Sequence, residues 1–265
     1  MARVLVLGGT SYVAQFVLQQ VLQDDALRVA SGGQMEDVSA VACTIRSEPF
    51  SPLPAGFVTT WSEPAARVVG VYWQVDISDL EALDNCIQDF HPTVVINCTA
   101  ISSPAVCQKD PDKACSVNEP RGLVTLLEKL PWRIRFVHFS TDFVYEGTQA
   151  WAPVFPDTSA PKFMQWLHCQ LFQSETAEEP LKLWSDEFRS YLYIHDLVSV
   201  LFKLLAIEDN ASATLVNLGG VEALSRVELA HRYLAVCGTH NASAVAAITR
   251  EIVPTAFSGH QRIKC

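Results

Sequence analysis

Two short stretches carry residue types at spacings that can do chemistry. The first is Gly8-Gly9-Thr10-Ser11-Tyr12-Val13-Ala14, set between an apolar run and a helical pattern. A glycine turn in that setting aims the unpaired N–H groups of a helix N-terminus at an anion, above all a pyrophosphate. Gly8 supplies the tight turn, and Ala14 is small enough for close helix–strand packing. Ser11 stands at the middle position, where glycine is usual. Its Cβ is expected either to crowd a phosphate, or to cost about 1 kcal/mol if the backbone needs positive φ. Alternatively its hydroxyl bonds to the phosphate. The second stretch, 136-FVHFSTDFVYEG-147, runs from an apolar strand into a polar turn that presents Ser140, Thr141 and Asp142. Thr141 and Asp142 are also ordinary turn formers.

The elements that must position these stretches alternate. Residues 3–7, RVLVL, form a continuous apolar run of the kind a parallel strand shows when buried on both faces. Helical spacing follows over 12–22, and further strands are expected at 27–30, 67–76, 92–100 and 134–140. Helices are expected at 78–90, where Ser78 and Glu81 would form a capping box, and at 111–130 with a break at Pro120. The segment 31–64, rich in Gly, Pro and Ser, is the least readable part of the first half. Strand and helix in alternation predict an α/β fold with a doubly wound parallel sheet. The second half is less regular, with helices expected at 162–175, 197–207 and 225–236, a strand at 181–184, and a strand and turn over 213–220. The chain is therefore divided into 1–150, a nucleotide-binding Rossmann-like region, and 151–265, the remainder of the same domain, which a family resemblance implies is a shortened substrate side. The end of the expected second strand, Ala30-Ser31-Gly32-Gly33, holds no carboxylate for a ribose 2′-hydroxyl, which leans away from strict NAD use. Arg46 is either a solvated loop arginine or a partner for a 2′-phosphate.

Bulk properties narrow the function classes. The 265 residues carry a net charge of −10, with 49% hydrophobic and 18% charged residues. That balance argues for a globular acidic protein and against a nucleic-acid or anionic-membrane surface. No apolar window reaches bilayer length, and the start, MARVLVLGGT, lacks a secretory pattern, so a cytoplasmic location is expected. On that basis three Asn-X-Ser/Thr tripeptides, at Asn97, Asn210 and Asn241, are chance matches. The eight cysteines form no C-x-x-C pair and read as reduced thiols, and Cys98, Cys107 and Cys115 have the wrong spacing for a zinc site.

Several segments in order, RVLVLGGTSYVA, the aspartate of QVDISD, PTVVINCTAIS, SVNEPRGLVTLL, HFSTDFVYEG, LWSDEFRSYLYIHDL and NLGGVEALSRVELA, resemble one family. It is the family of dTDP-4-dehydrorhamnose reductase and the regulatory beta subunit of methionine adenosyltransferase, both extended short-chain dehydrogenase/reductase-like. The resemblance implies NADP or NAD as cofactor, with NADP slightly favoured, held by Gly8, Thr10, Ser11, Tyr12 and Val13. It also implies that Asp76 and Ile77 lie against the adenine. Cys98, Thr99 and Ala100 would line the nicotinamide side, with Asn118 behind them. Ser140 and Thr141 would face the reacting centre, Thr141 polarising a substrate carbonyl, and Arg189 would shape the substrate side. Plainer roles remain open: Asp76 as a helix cap, Asn118 as a partner for backbone groups, and Arg189 as an ion-pair partner of Asp186 or Glu187.

In this reaction class a tyrosine moves the proton, and a lysine four residues on, one helical turn away, lowers its pKa. Position i+4 from Tyr12, Tyr72, Tyr145, Tyr191, Tyr193 and Tyr233 holds Phe16, Asp76, Gln149, His195, Leu197 and Cys237 in turn. The dyad is absent from the sequence, and the family would spend more chain between EGTQAWAPVFPD and LWSDEFRS. Three functions follow as expectations. One is a non-catalytic regulator partnered by a catalytic methionine adenosyltransferase subunit. Another is an NADPH-dependent reductase of a nucleotide-linked keto-sugar, with Thr141 and another acid in place of the tyrosine; Tyr145, which lacks its lysine, is the one nearby candidate. The last is an inactive shortened isoform.

Overall fold

The computed structural model describes residues 2–22, 38–49, 51, 69–140, 163–172, 180–207, 215–248 and 252–255, apart from the side chains at 104, 163, 165 and 238–248. Five strands, β1 (Ala2–Leu7), β2 (Val38–Ile45), β3 (Val69–Trp73), β4 (Val94–Asn97) and β5 (Arg135–His138), form one sheet in the order β3-β2-β1-β4-β5. Every neighbouring pair is parallel. The order turns back between β1 and β4, which makes the ends of those two strands the switch point where an open α/β sheet receives its ligand.

Side-chain period sets the two faces of the sheet. Along β1, Val4 and Val6 join one buried cluster while Leu5 and Leu7 join the other. Helix α1 (Tyr12–Leu22) covers the first face with Ala14, Val17, Leu18, Val21 and Leu22, one helical stripe. Further along the chain, α7 (Ile194–Ala206) packs there with Val198, Leu201, Phe202 and Leu205. On the other face α2 (Leu80–Phe90) buries Leu83, Cys86, Ile87 and Phe90. Each fully buried side chain of this size contributes about 1.5–3 kcal/mol relative to exposure.

Three short helices connect β4 to β5: α3 (Pro104–Lys109), α4 (Pro111–Asn118) and α5 (Arg121–Glu128). The last two meet at Glu119-Pro120, so the expected break falls where proline removes the helical N–H. A smaller group contains α6 (Phe163–Phe172), β6 (Leu181–Trp184), β7 (Phe188–Ser190), β8 (Ala223–Ser225), α8 (Arg226–Ile248) and β9 (Ile252–Thr255). In it β6 pairs parallel with β9, and β7 antiparallel with β8.

Three expectations need correction. The second strand is Val38–Ile45, inside the segment that seemed unreadable, and the 27–30 candidate lies outside the described residues. Glycine, proline and serine averaged over 31–64 hid an eight-residue strand in which six residues are apolar. Helix α2 is capped by Asp79, which accepts from the Ala82 N–H at 3.0 Å, and not by Ser78. Ser78 instead donates to Asp76 Oδ1 from its amide at 2.9 Å and its hydroxyl at 2.7 Å. Residues 215–220, within the strand and turn expected over 213–220, form no strand. By contrast Ser225 and Glu228 make a full capping box at the start of α8.

Candidate functional site

The carboxyl ends of the five strands bring together most of the residues singled out above. Gly8 takes φ +73°, the left-handed turn that ends β1, and a Cβ there would lie 2.7 Å from Thr99 Cγ2. A Cβ at Gly9 would lie 2.7 Å from Cys43 Sγ. Glycine is thus required at Gly8 by backbone and contact together, and at Gly9 by contact. Burial drives the Cys43 thiol up to about 12, helped by nearby Cys86, so it sits there as a neutral apolar group.

The turn is tied down from two sides. Thr44, almost wholly buried on β2, accepts from the Gly8 N–H with its hydroxyl at 3.1 Å and from the Gly9 N–H with its carbonyl at 2.8 Å. Ser11 donates its amide to the Gly8 carbonyl at 2.8 Å. Its hydroxyl accepts the Ala14 N–H at 3.3 Å, which makes Ser11 the N-cap of α1. Among the described residues positive φ at a non-glycine occurs only at Gln74 and His91, so Ser11 carries no backbone strain. The N-terminus of α1 thus stands directly after the turn that ends β1, the setting an anion site of this kind uses. Gln15 steadies the loop by donating to the Thr10 carbonyl at 3.1 Å. Tyr12, partly exposed, meets Phe16 edge-on at 5.1 Å, and Phe16 meets His195 at 5.1 Å. His195 in turn stands 5.0 Å from Tyr193, so the start of α7 lies beside the loop. Burial and the neighbouring Tyr193 raise the Tyr12 pKa.

On the β4 side, the Cys98 amide bonds to the Leu7 carbonyl at 3.1 Å, and Thr99 follows against Gly8, with Ala100 next in the chain. Asn118, at the end of α4, accepts the Ile101 N–H at 2.8 Å and donates to the Ile101 carbonyl at 3.1 Å. Both groups of one peptide residue are thereby satisfied by one amide, which fixes the segment 98–101. Asn97, fully buried, accepts from the Thr99 amide at 3.0 Å and hydroxyl at 2.6 Å, and its Nδ2 reaches His138 Nδ1 at 3.0 Å. Ser140 is exposed just past β5, while Thr141 lies outside the described residues.

At the far end, Asp76 and Ile77 follow β3, with Ile77 buried. Burial works against the Asp76 carboxylate, but the two Ser78 bonds and the Arg46 and Lys113 charges outweigh it and hold its pKa low. Arg46 is the residue directly after β2, three-quarters exposed, with Nη1 4.0 Å from Asp76 Oδ2. Misplacing β2 in the sequence hid this position; the run VSAVACTI ending at Arg46 is the signal that identifies it. Thr44 was missed for the same reason.

Arg189 is held by different partners. On β7 its Nε donates to Glu187 Oε1 at 3.0 Å, with a second bond from Nη2, and Arg226 Nε stands 3.4 Å from Glu187 Oε2. The Arg226 guanidinium also lies 4.0 Å from the Trp184 ring centre. This is the expected ion pair, with Glu187 as the acid. A hollow of about 340 Å³ between α5 and β5, lined by residues including Pro120, Val124, Phe136 and His138, contains no residue of the glycine turn. Among the described residues no group of three or more His, Cys, Asp and Glu side chains is placed to hold a metal ion. No helix among them is long and apolar enough to cross a membrane.

Residues 2–165 match the RmlD substrate binding domain. The chain belongs to that family. Curated relatives include the probable low-salt glycan biosynthesis reductase Agl14 of Haloferax volcanii, 32% identical over 34% of this chain and 34% of that protein. The spore coat polysaccharide biosynthesis protein SpsK of Bacillus subtilis is 26% identical over 50% of this chain and 58% of its own. Methionine adenosyltransferase 2 subunit beta of Rattus norvegicus is 32% identical over 28% of this chain and 22% of its own. The matched stretch is thus less than two thirds of each of these relatives. In fold, this RmlD-family chain is similar to dTDP-4-dehydrorhamnose reductase from Bacillus anthracis, solved with NADP, at TM-score 0.62 and 13% identity. That likeness covers 97% of this chain and 86% of the other. The dTDP-glucose 4,6-dehydratase of the same organism, solved with NAD, gives TM-score 0.64 and 16% identity over 99% and 86%. At these identities the solved structures establish the doubly wound fold.

Proposed function

We propose that this protein binds NADP and serves as a non-catalytic regulatory subunit, in the way its resemblance to the methionine adenosyltransferase beta subunit implies. The observation that carries the reading is a left-handed glycine turn leading into a capped helix, in a chain without a Tyr-x-x-x-Lys pair. Gly8 keeps its positive φ and Ser11 caps α1, yet no tyrosine in the sequence has lysine at i+4. A tyrosine without that cation titrates near 10, so hydride transfer to a ketone lacks its proton source at neutral pH. The hold of Glu187 on Arg189 supports the same reading, because two of that guanidinium's donors already face a carboxylate.

In this reading residues 1–150 bind the nucleotide and 151–265 form a shortened substrate side that presents Arg189. Gly8, Thr10, Ser11, Tyr12 and Val13 take the pyrophosphate, and Asp76 and Ile77 the adenine. Cys98, Thr99, Ala100, Asn118 and Ser140 form the nicotinamide wall, with Thr141 a remnant of the catalytic set. Arg46, directly after β2, favours NADP, since a guanidinium suits a 2′-phosphate. The setting is cytoplasmic, and the partner is a catalytic methionine adenosyltransferase subunit.

The test is a titration of the folded protein with NADPH, followed by quenching of its six tryptophans. A pull-down with a catalytic adenosyltransferase subunit and an NADPH-oxidation assay with dTDP-4-dehydrorhamnose accompany it. Saturable quenching, complex formation and no oxidation above blank are expected. Substrate-dependent oxidation would restore the reductase, and well-folded protein that ignores NADPH would remove the nucleotide.

A further inference from the structure

Four polar groups run in one line behind the β4 wall of the cradle. Thr99 presents two donors, N–H and O–H, to Asn97 Oδ1. Those donors fix the amide orientation, so the group facing His138 Nδ1 at 3.0 Å is the Asn97 NH₂. An amide donor there requires a bare ring nitrogen. The proton of the neutral imidazole therefore sits on Nε2, where it donates to the Asn118 carbonyl at 3.2 Å. Both ends of the line set the same tautomer.

We propose that His138 is a positioning residue for the nucleotide site: its neutral, Nε2-protonated ring holds Asn97, and through Asn97 holds Thr99 against Gly8. The inference rests on the nucleotide-binding reading above. Protonation of Nδ1 would set two donors face to face in a buried place. Asn97 can relieve this by turning its amide over, which keeps a bond to the ring and one to the Thr99 hydroxyl, now accepting, but leaves the Thr99 N–H facing an NH₂ with its acceptor lost. Either response moves Thr99, whose methyl packs against the Gly8 turn. Among the described residues the groups around the ring do not rescue the charged form. From β4 comes the neutral Asn97, from α4 the Asn118 carbonyl, and from β5 itself the Phe136 ring, stacked at 6.4 Å. Glu119 and Arg121, which line the same hollow as His138, pair with each other at 2.7 Å. Burial lowers the His138 pKa, against the opposing pull of the Asn118 bond.

The test measures NADP⁺ affinity by calorimetry from about pH 8 down to about pH 5, in the wild type and in His138→Asn. Asparagine offers an oxygen in place of Nδ1 and does not titrate. The cofactor's own 2′-phosphate does titrate in this range, and it cancels between the two proteins. Wild-type Kd is expected to rise severalfold more than that of His138→Asn as the pH falls, with the two alike near pH 7.5. His138→Phe, with no acceptor, should bind weakly at every pH. Parallel slopes in wild type and His138→Asn would overturn the proposal. If NADP⁺ binds neither protein, the nucleotide reading has failed, and nitrogen NMR of the unliganded wild type decides the positioning role. A proton on Nε2, with the Thr99 amide shifting at the imidazole midpoint, supports the role. A proton on Nδ1, or a Thr99 amide blind to the titration, sinks it.

Discussion

Replacing Arg46 by alanine should separate the two nicotinamide dinucleotides. Arg46 stands at the end of β2 with its side chain mostly in solvent, and its nearest described anion, Asp76 Oδ2, is at 4.0 Å, the outer limit of an ion pair. A 2′-phosphate can therefore engage the guanidinium with little loss of existing interaction. A hydrogen bond to a charged group contributes about 1.5–3 kcal/mol. Exposure and salt screening reduce this, leaving about 1–2 kcal/mol, or roughly 5- to 30-fold in Kd. Tryptophan quenching with NADPH and NADH in parallel reads the difference. Arg46→Ala should weaken NADPH by that factor and NADH by less than about twofold, and the gap should narrow as salt is raised. Equal weakening of both nucleotides would mean that Arg46 supports the fold around Asp76 and does not read the phosphate. An unchanged NADPH affinity would remove it from the site altogether.

Three further outcomes follow from the same geometry. Gly8→Ala should destabilise the protein by about 2–4 kcal/mol in denaturant unfolding, since left-handed backbone and the Thr99 contact add together. Ser11→Ala should cost about 1 kcal/mol and Ser11→Gly only a few tenths, neither tightening NADPH; a tighter Ser11→Gly variant would show that the serine crowds the phosphate after all. Because burial depresses the His138 pKa, the unfolded chain takes up its proton first as pH falls. Its contribution to stability is whole above about pH 6.5 and is lost as the pH drops from there through the folded pKa, so chemical melts of wild type and His138→Asn should diverge on the acid side only.

Periodicity made much of this architecture readable. The runs at 4–7 and 94–96 are apolar without interruption, as strands covered on both faces must be, and the 12–22 stripe leaves one helical choice. The 38–45 strand escaped because Gly32, Gly33 and the later prolines dominate any average taken across it, although VSAVACTI alone carries the signal. That single omission displaced Arg46 from a strand end to a loop. Ser11 illustrates a different limit: composition says that glycine is missing, but only the observed backbone shows an ordinary φ and a capping bond. The line from Thr99 to Asn118 was invisible for a third reason. Its members are up to 41 residues apart in sequence and meet only because β4 and β5 pair in register, Asn97 opposite His138.

Thr44 ties the glycine turn to one alignment of its neighbour. In the observed pairing Val6 stands opposite Cys43, and the next residue of β2 supplies both acceptors for the turn. A slip of one residue would bring Cys43 or Ile45 to that place, neither with a hydroxyl, and would also turn the buried set of β2 toward the wrong face. The loop amide left unpaired would add about 1–3 kcal/mol to that misalignment. The turn therefore acts as a proofreader of sheet assembly: the fold can set its amides correctly only after the second strand has found its proper register.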